Sequence, residues 1–375
     1  MSDFLKHYEM KITVLSPMHI GNGEKIGKKE YIYLPWDNTV IIPDVRLLLG
    51  EIQKKHLDRQ YAEYMLKNNR DELGNWLKKQ GFQRQEFKHF QKYTLNAGDT
   101  LQEPGTQRDR RTREILSFIK DPYGMPYVPG SSIKGMLRTA LLAYEIMKDT
   151  SGYTSIKRQI QSGASRREKN RMIYLNRETQ ALETQSFHTL RKNAEKPGDA
   201  VNCNLSGLIV SDSRPISLEN LVLSQKIDYT LDKKEKPLPI FREAVIPGTE
   251  IFFDVTIDEK DCPYMMEQIL EALNVFQRNC YQFFYSRFGR GTKQDGTIWL
   301  GGGCGFLSKT ILYEMFGKDA VGIVDQIFQN TLGKNYDIHK HNKDKALHLA
   351  PHVCKCTRYQ GELYDMGMGR IEVVR

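Results

Sequence analysis

The sequence predicts an α+β fold, and three observations predict it. Short β-branched segments of alternating polarity bracket the chain. Longer segments carry apolar residues at three-and-four spacing. The two kinds follow one another as strand, helix, strand, strand, helix, strand, the βαββαβ or ferredoxin-like (RRM-like) arrangement. Large helical and basic-loop insertions interrupt it, and no tandem short-period repeat is present.

Residues 1–43 supply the first strand and a hairpin of the core. The strand is EMKITVL (9–15), which runs into the loop Ser16-Pro17-Met18-His19-Ile20-Gly21-Asn22-Gly23. The hairpin pairs KEYIYL with TVIIP across the turn Pro35-Trp36-Asp37-Asn38. Residues 44–120 read as a helical insertion: DVRLLLGEIQKKHL and AEYMLKNNRDELGNWLKKQ are helical to about 95, and 97–113 is a polar, charged loop. Residues 121–149 hold the first core helix, placed at 132–148, and residues 150–204 form a basic, partly helical, exposed insertion. Residues 205–375 complete the core. They comprise a strand at LSGLIVS (205–211), a strand within EAVIPGTEIFFDVTID (243–258) and a helix at 264–285. A glycine-laden loop, a short helix at 320–332 and the terminal strand GRIEVV follow.

Composition narrows the function. The chain has 375 residues, 39% hydrophobic and 27% charged, which is globular and not disordered. No run is long and apolar enough to span a bilayer, and MSDFLKHYEMKITV lacks a secretion signal, so no membrane is expected and the cytoplasm is the default. The net charge of +9 favours an anionic partner. Its distribution sharpens this, because residues 151–200 hold ten Lys/Arg against five Asp/Glu. The run Arg108-Asp109-Arg110-Arg111-Thr112-Arg113 adds a second dense point. Clustered cations neutralise phosphates and release counterions.

Six scattered cysteines read as reduced thiols. The tail His348-x3-His352-x-Cys354-x-Cys356 has a metal-like look. Its C-x-C spacing is poor for a closed tetrahedral site, so strand cysteines are expected, with neither metal nor cofactor.

The segment PYVPGSSIKGMLRTALL (126–142) has one apolar face, Ile133, Met136, Leu137, Ala140, Leu141 and Tyr144. Ser131 or Ser132 can cap the helix, and Gly130 allows a sharp entry. Lys134 and Arg138 sit together off the apolar face, so hydroxyls, cations and free N–H groups converge on an anion site. A well-capped helix with solvated cations is the competing reading. The loop Gly301-Gly302-Gly303-Cys304-Gly305 is open in the same way, between close approach to a nucleic-acid backbone and a tight turn.

Three segments carry a family resemblance. They are Ser-Pro-Met-His-Ile-Gly-Asn-Gly (16–23), Tyr127-Val128-Pro129-Gly130-Ser131-Ser132-Ile133-Lys134-Gly135-Met136-Leu137-Arg138, and Gly301-Gly302-Gly303-Cys304-Gly305-Phe306. Together they resemble the RAMP superfamily of CRISPR-associated proteins. The helical block at 44–95 and LAPHVCKCTRYQGELYDMGMGRIEV (349–373) narrow the likeness to the subunits that cap the crRNA 3′ end in type III-A (Csm) effector complexes.

The resemblance implies a RAMP fold and a structural, non-catalytic RNA-binding subunit supporting crRNA maturation. It implies as partners crRNA, the backbone RAMP subunit, the small helical subunit and host ribonucleases. RNA contacts are expected from His19, Asn22 and Lys25, from Arg110 and Arg111, and from Ser131, Ser132, Lys134 and Arg138. Arg166, Arg167, Arg287, Arg290 and Lys293 join them, with Gly302, Gly303 and Gly305 of the late loop. Backbone RAMP subunits cleave target RNA with an aspartate shortly before the P-G-S-S element. Asp37 and Asp44 lie far upstream here and Asp121 sits in a turn, so none carries that role over.

Two rival classes remain. A RAMP endoribonuclease processing precursor crRNA would use His19 as general acid/base, although no second catalytic group accompanies it. A protein-only scaffold would direct its basic segments at acidic partner subunits.

Overall fold

The structure is a computed structural model and describes residues 4–67, 71–101, 114–166 and 173–375. Arg110, Arg111 and Arg167 lie outside the described residues. The chain opens with β1 (Leu5–Val14), β2 (Gly21–Ile26), β3 (Ile32–Leu34) and β4 (Thr39–Pro43). Helices α1 (Val45–Lys54), α2 (Asp58–Leu66) and α3 (Leu73–Lys79) precede β5 (Gln91–Asn96) and β6 (Ile115–Phe118). Next come α4 (Gly130–Lys148), α5 (Thr154–Ala164), α6 (Asn176–Phe187) and β7 (Leu208–Val210). Strands β8 (Leu221–Thr230), β9 (Glu235–Val245) and β10 (Glu250–Asp258) lead to α7 (Met266–Phe283) and β11 (Thr297–Trp299). The chain closes with α8 (Leu312–Phe316), α9 (Ala320–Leu332), α10 (Lys334–Ile338), α11 (Asp344–Leu347), β12 (Val353–Tyr359), β13 (Glu362–Asp365) and β14 (Met368–Val373). No helix among the described residues is long and apolar enough to cross a membrane.

One sheet is antiparallel and five-stranded, in the order β11-β14-β1-β10-β7. Its central strands alternate: β1 buries Met10, Ile12 and Val14, and β10 buries Ile251, Phe253, Val255 and Ile257. Those side chains form one face, on which α4 and α7 pack against each other through Ile133, Leu137 and Leu141 and through Ile269, Leu273 and Phe276. The second sheet runs β2-β6-β9-β8-β5-β4-β3, with β12 added to β8 and β13 to β12.

Several expectations are corrected by this second sheet. Residues 44–120, expected to be a helical insertion ending in a loop, also supply two strands, β5 and β6. Strand β2 occupies the second half of the loop expected at 16–23; nearly all its residues are exposed, so it pairs through backbone and shows no apolar alternation. The β8–β9 hairpin escaped because β8 begins with consecutive buried residues instead of an alternation, while β9 carries Pro237 and Pro239. The segment between 150 and 204 is packed, not an exposed excursion: Ile156, Ile160, Ala164, Leu182 and Phe187 are buried in the main core. Helices α1–α3 cover a separate apolar cluster that includes Leu48, Ile52, Trp76, Leu77 and Phe87.

Candidate nucleic-acid interface

Helix α4 starts differently from its expected form. Pro129 is the N-cap, no side chain caps the helix, and Ser131 and Ser132 lie inside the first turn. Gly130 is required by packing: a Cβ there would stand 2.3 Å from the Val210 carbonyl oxygen and 2.6 Å from that of Ser211. Its N–H donates to Asp212 Oδ1 at 2.8 Å, so a carboxylate of the chain itself meets the positive end of the helix. Lys134 is half-buried, and desolvation lowers its pKa. Arg138 is engaged by Glu183 on α6 at 2.6 Å and lies over the Phe187 ring. Ser131 and Ser132 thus do not cap the helix, Lys134 is half-buried with Arg138 repelling it, and Arg138 is tied to Glu183.

What the tertiary structure assembles is a cleft of about 390 Å³ where the three motif segments meet. His19 and Ile20 come from the loop after β1, Gly21, Gly23 and Glu24 from β2, and Leu116 and Ser117 from β6. Ser132 of α4, Arg242 of β9, Gly301, Gly302 and Lys309 complete the lining.

The glycine loop owes its conformation to protein contacts. Gly301 has φ +94°, and a Cβ would stand 2.2 Å from the His19 carbonyl oxygen, so only glycine fits. The Gly302 N–H donates to that same carbonyl at 2.7 Å. Gly303 lies against Met366 and Arg242, and Gly305 against Lys355. Of the two readings left open for this loop, these contacts support the positive-φ turn, packed closely on the His19 loop.

His19 is 3% exposed and its Nδ1 donates to the Glu243 carbonyl at 2.7 Å, which fixes the tautomer and leaves Nε2 without the proton. Desolvation, helped by Arg242 and Lys120, pulls its pKa down to about 4 against the opposing carbonyl bond. The ring is neutral near pH 7. Glu243 itself is fully buried and accepts from Tyr93 Oη at 2.6 Å, from the Phe118 N–H at 2.8 Å and from Lys120.

Arg242, its neighbour on β9, has no such partner. Its side chain lies in the cleft wall at 9% exposure, with only the Met366 sulfur at 3.9 Å and no carboxylate among the described residues. Burial lowers its pKa. Lys226 on β8 is also desolvated, with Lys355 and Arg242 repelling it and Asp228 attracting it. A buried cation without a counter-charge is costly unless a ligand supplies the anion. Sequence reasoning missed Arg242, Lys226 and Lys309. The visible signal was Arg242-Glu243 as a charged pair inside the apolar stretch PIFREAVI.

The remaining expected contacts already have partners within the chain. Asn22 donates to Glu24 at 2.8 Å, and Lys25 pairs with Glu114 at 3.1 Å in an exposed contact. Arg166 pairs with Glu178, and Arg290 with Asp365. Arg287 donates to the Leu347 and His348 carbonyls at 3.2 and 3.4 Å, and Lys293 lies over the Tyr281 ring. The aspartates weighed for cleavage are structural: Asp37 pairs with Arg84, Asp44 caps α1, and Asp121 accepts from the Tyr123 and Met125 amides.

Comparison with known proteins gives a consistent picture. The RAMP superfamily family model matches residues 11–308. The chain is 28% identical over 397 residues to the CRISPR system Cms protein Csm5 of Mycobacterium tuberculosis H37Rv, covering 100% of both chains. It is 27% identical over 346 residues to the Csm5 of Streptococcus thermophilus, covering 87% of this chain and 84% of that one. The crystal structure of T. onnurineus Csm5 superposes with TM-score 0.61 at 19% identity, covering 96% of this chain and 99% of that chain. A chain of the cryo-EM Csm–crRNA–target RNA ternary complex of a type III-A CRISPR-Cas system also gives TM-score 0.61 at 19% identity, covering 97% and 100%. At such identity the structural likeness shows the fold alone.

Proposed function

This chain belongs to the RAMP superfamily, and we propose that it is an RNA-binding structural subunit of a type III-A CRISPR effector complex. In this reading it caps the crRNA 3′ end, contacts the backbone RAMP and small helical subunits, and supports crRNA maturation by host ribonucleases. The core is ferredoxin-like, a reading supported by the order β14-β1-β10-β7 with α4 and α7 as the crossovers. The Csm5 relatives support the assignment to the complex.

The observation that carries RNA binding is Arg242, a buried cation with no carboxylate partner among the described residues, in the cleft where the three motif segments converge. A backbone phosphate supplies the charge it lacks. Ser132, Lys309 and the neutral His19 offer further hydrogen bonds and charge there. The recognition is sequence-tolerant, since the stacked pair Tyr285 and Trp299 and most other aromatic rings are in the core. The subunit is non-catalytic in this reading: a histidine with pKa near 4 is a poor general acid or base at neutral pH.

The test is a titration of the purified chain with scrambled single-stranded RNAs at several salt concentrations, with a cleavage assay in parallel. Tight, salt-steep binding within a few-fold across sequences supports the reading. A hundredfold preference for one unrelated sequence, or cleavage lost in His19→Ala, sinks it; salt-insensitive or absent binding returns the scaffold reading.

A further inference from the structure

The connection from α9 to β12 places a buried carboxylate between two imidazoles. Asp344 is fully buried; its Oδ2 accepts from His341 Nδ1 at 2.9 Å, and its Oδ1 accepts from His352 Nδ1. One nitrogen of each ring and a carboxylate oxygen lie within 4.8 Å of one another. No lysine or arginine pairs with Asp344 among the described residues; its ionic partners are these two histidines. A buried carboxylate with no lysine or arginine beside it is open to a cation as its partner.

We propose that His341, Asp344 and His352 bind a divalent transition-metal ion of the zinc type, with water as the fourth ligand. Two imidazole nitrogens and one carboxylate oxygen are a donor set suited to such an ion. Metal–ligand bonds of about 2.0–2.1 Å at tetrahedral angles separate donor atoms by roughly 3.4 Å. The pair at 2.9 Å therefore opens slightly when the ion enters. With the ion bound, each ring offers its Nδ1 lone pair and carries its remaining proton on Nε2.

A second cluster, Cys354, Cys356 and Asp365, is equally compact but differs in charge. There Asp365 already holds the Arg290 guanidinium and accepts the Gly291 N–H at 2.9 Å, so a cation is in place. The His341 cluster has no lysine or arginine on its carboxylate among the described residues. Its ion would fasten the connector whose Ala350 carbonyl accepts from Tyr313 Oη at 2.7 Å, and so hold the entry to β12.

The experiment uses the untagged full chain, titrated with zinc against a chromophoric chelator and with cobalt(II) by absorption. One equivalent should bind, raising the melting temperature by linkage. Cobalt should give ligand-field bands without a thiolate charge-transfer band. His341→Gln and His352→Gln should each weaken zinc binding by about 10–100-fold or more, while Cys354→Ser leaves it unchanged. Retention of no metal, a thiolate band, or unaltered affinity in both histidine variants overturns the proposal. If one variant melts abnormally without metal, the other variant and the wild-type cobalt spectrum decide. RNA affinity is not part of the readout, so failure here is separate from failure of the RNA-binding reading.

Discussion

The Nδ1 of His19 donates to the backbone carbonyl of Glu243 at 2.7 Å, joining the loop after β1 to β9. The bond sets the neutral tautomer of the histidine. It also ties the loop to the strand that puts Arg242, with no carboxylate partner among the described residues, in the cleft wall. The next residue, Glu243, holds a buried ion pair with Lys120.

A pH dependence follows from His19. Its folded pKa is about 4 against an ordinary 6.5, so between these values the unfolded chain binds a proton that the folded chain refuses. This part of the stability is complete above the unfolded value, falls as pH drops through the window and levels off below it, a loss of up to about 3 kcal/mol. His19→Gln should flatten the stability profile in that window relative to wild type, as read from denaturant melts. Identical slopes in the two proteins refute the assignment.

Arg242→Met should weaken RNA binding, and the salt slope should shrink by about one unit for a single lost phosphate contact. Because the variant removes a buried charge with no carboxylate partner among the described residues, its melting temperature should hold or rise. Binding by Lys134→Ala/Arg138→Ala should fall less, since Lys134 lies outside the cleft lining and Arg138 is held by Glu183. Equal losses in the two proteins would return weight to the helix start.

Glu243→Gln leaves Lys120, which is nearly buried, without its anion. Removing one member of such a pair costs about 3–5 kcal/mol. Combining it with Lys120→Met should recover part of the loss. Additive destabilisation in a double-mutant cycle contradicts the coupling.

Leu137→Ala empties a site in the core between α4 and the five-stranded sheet and should cost about 2–5 kcal/mol. Arg138→Ala, one residue on, loses a partly exposed ion pair and should cost about 1 kcal/mol or less. Chemical denaturation of both variants checks the contrast; a reversal places the apolar stripe on the wrong face.

The sequence by itself determined the elements whose signal is local. The alternation in β1 and β10, the three-and-four spacing of α4 and α7, and the terminal strand β14 were all legible, because each buries one regular face. The three motif segments were legible too. Only the tertiary structure decided what they do together. Strand β2 is held by backbone pairing with β6, a register no side-chain pattern announces. The partners of Arg138, Arg166 and Arg290 lie 45, 12 and 75 residues away, so neighbouring sequence could not tell a free cation from a paired one. Arg242 became the cation of the cleft for the converse reason. Its neighbour Glu243 turns to Lys120 and Tyr93 on the opposite face of β9, because successive side chains of a strand point opposite ways.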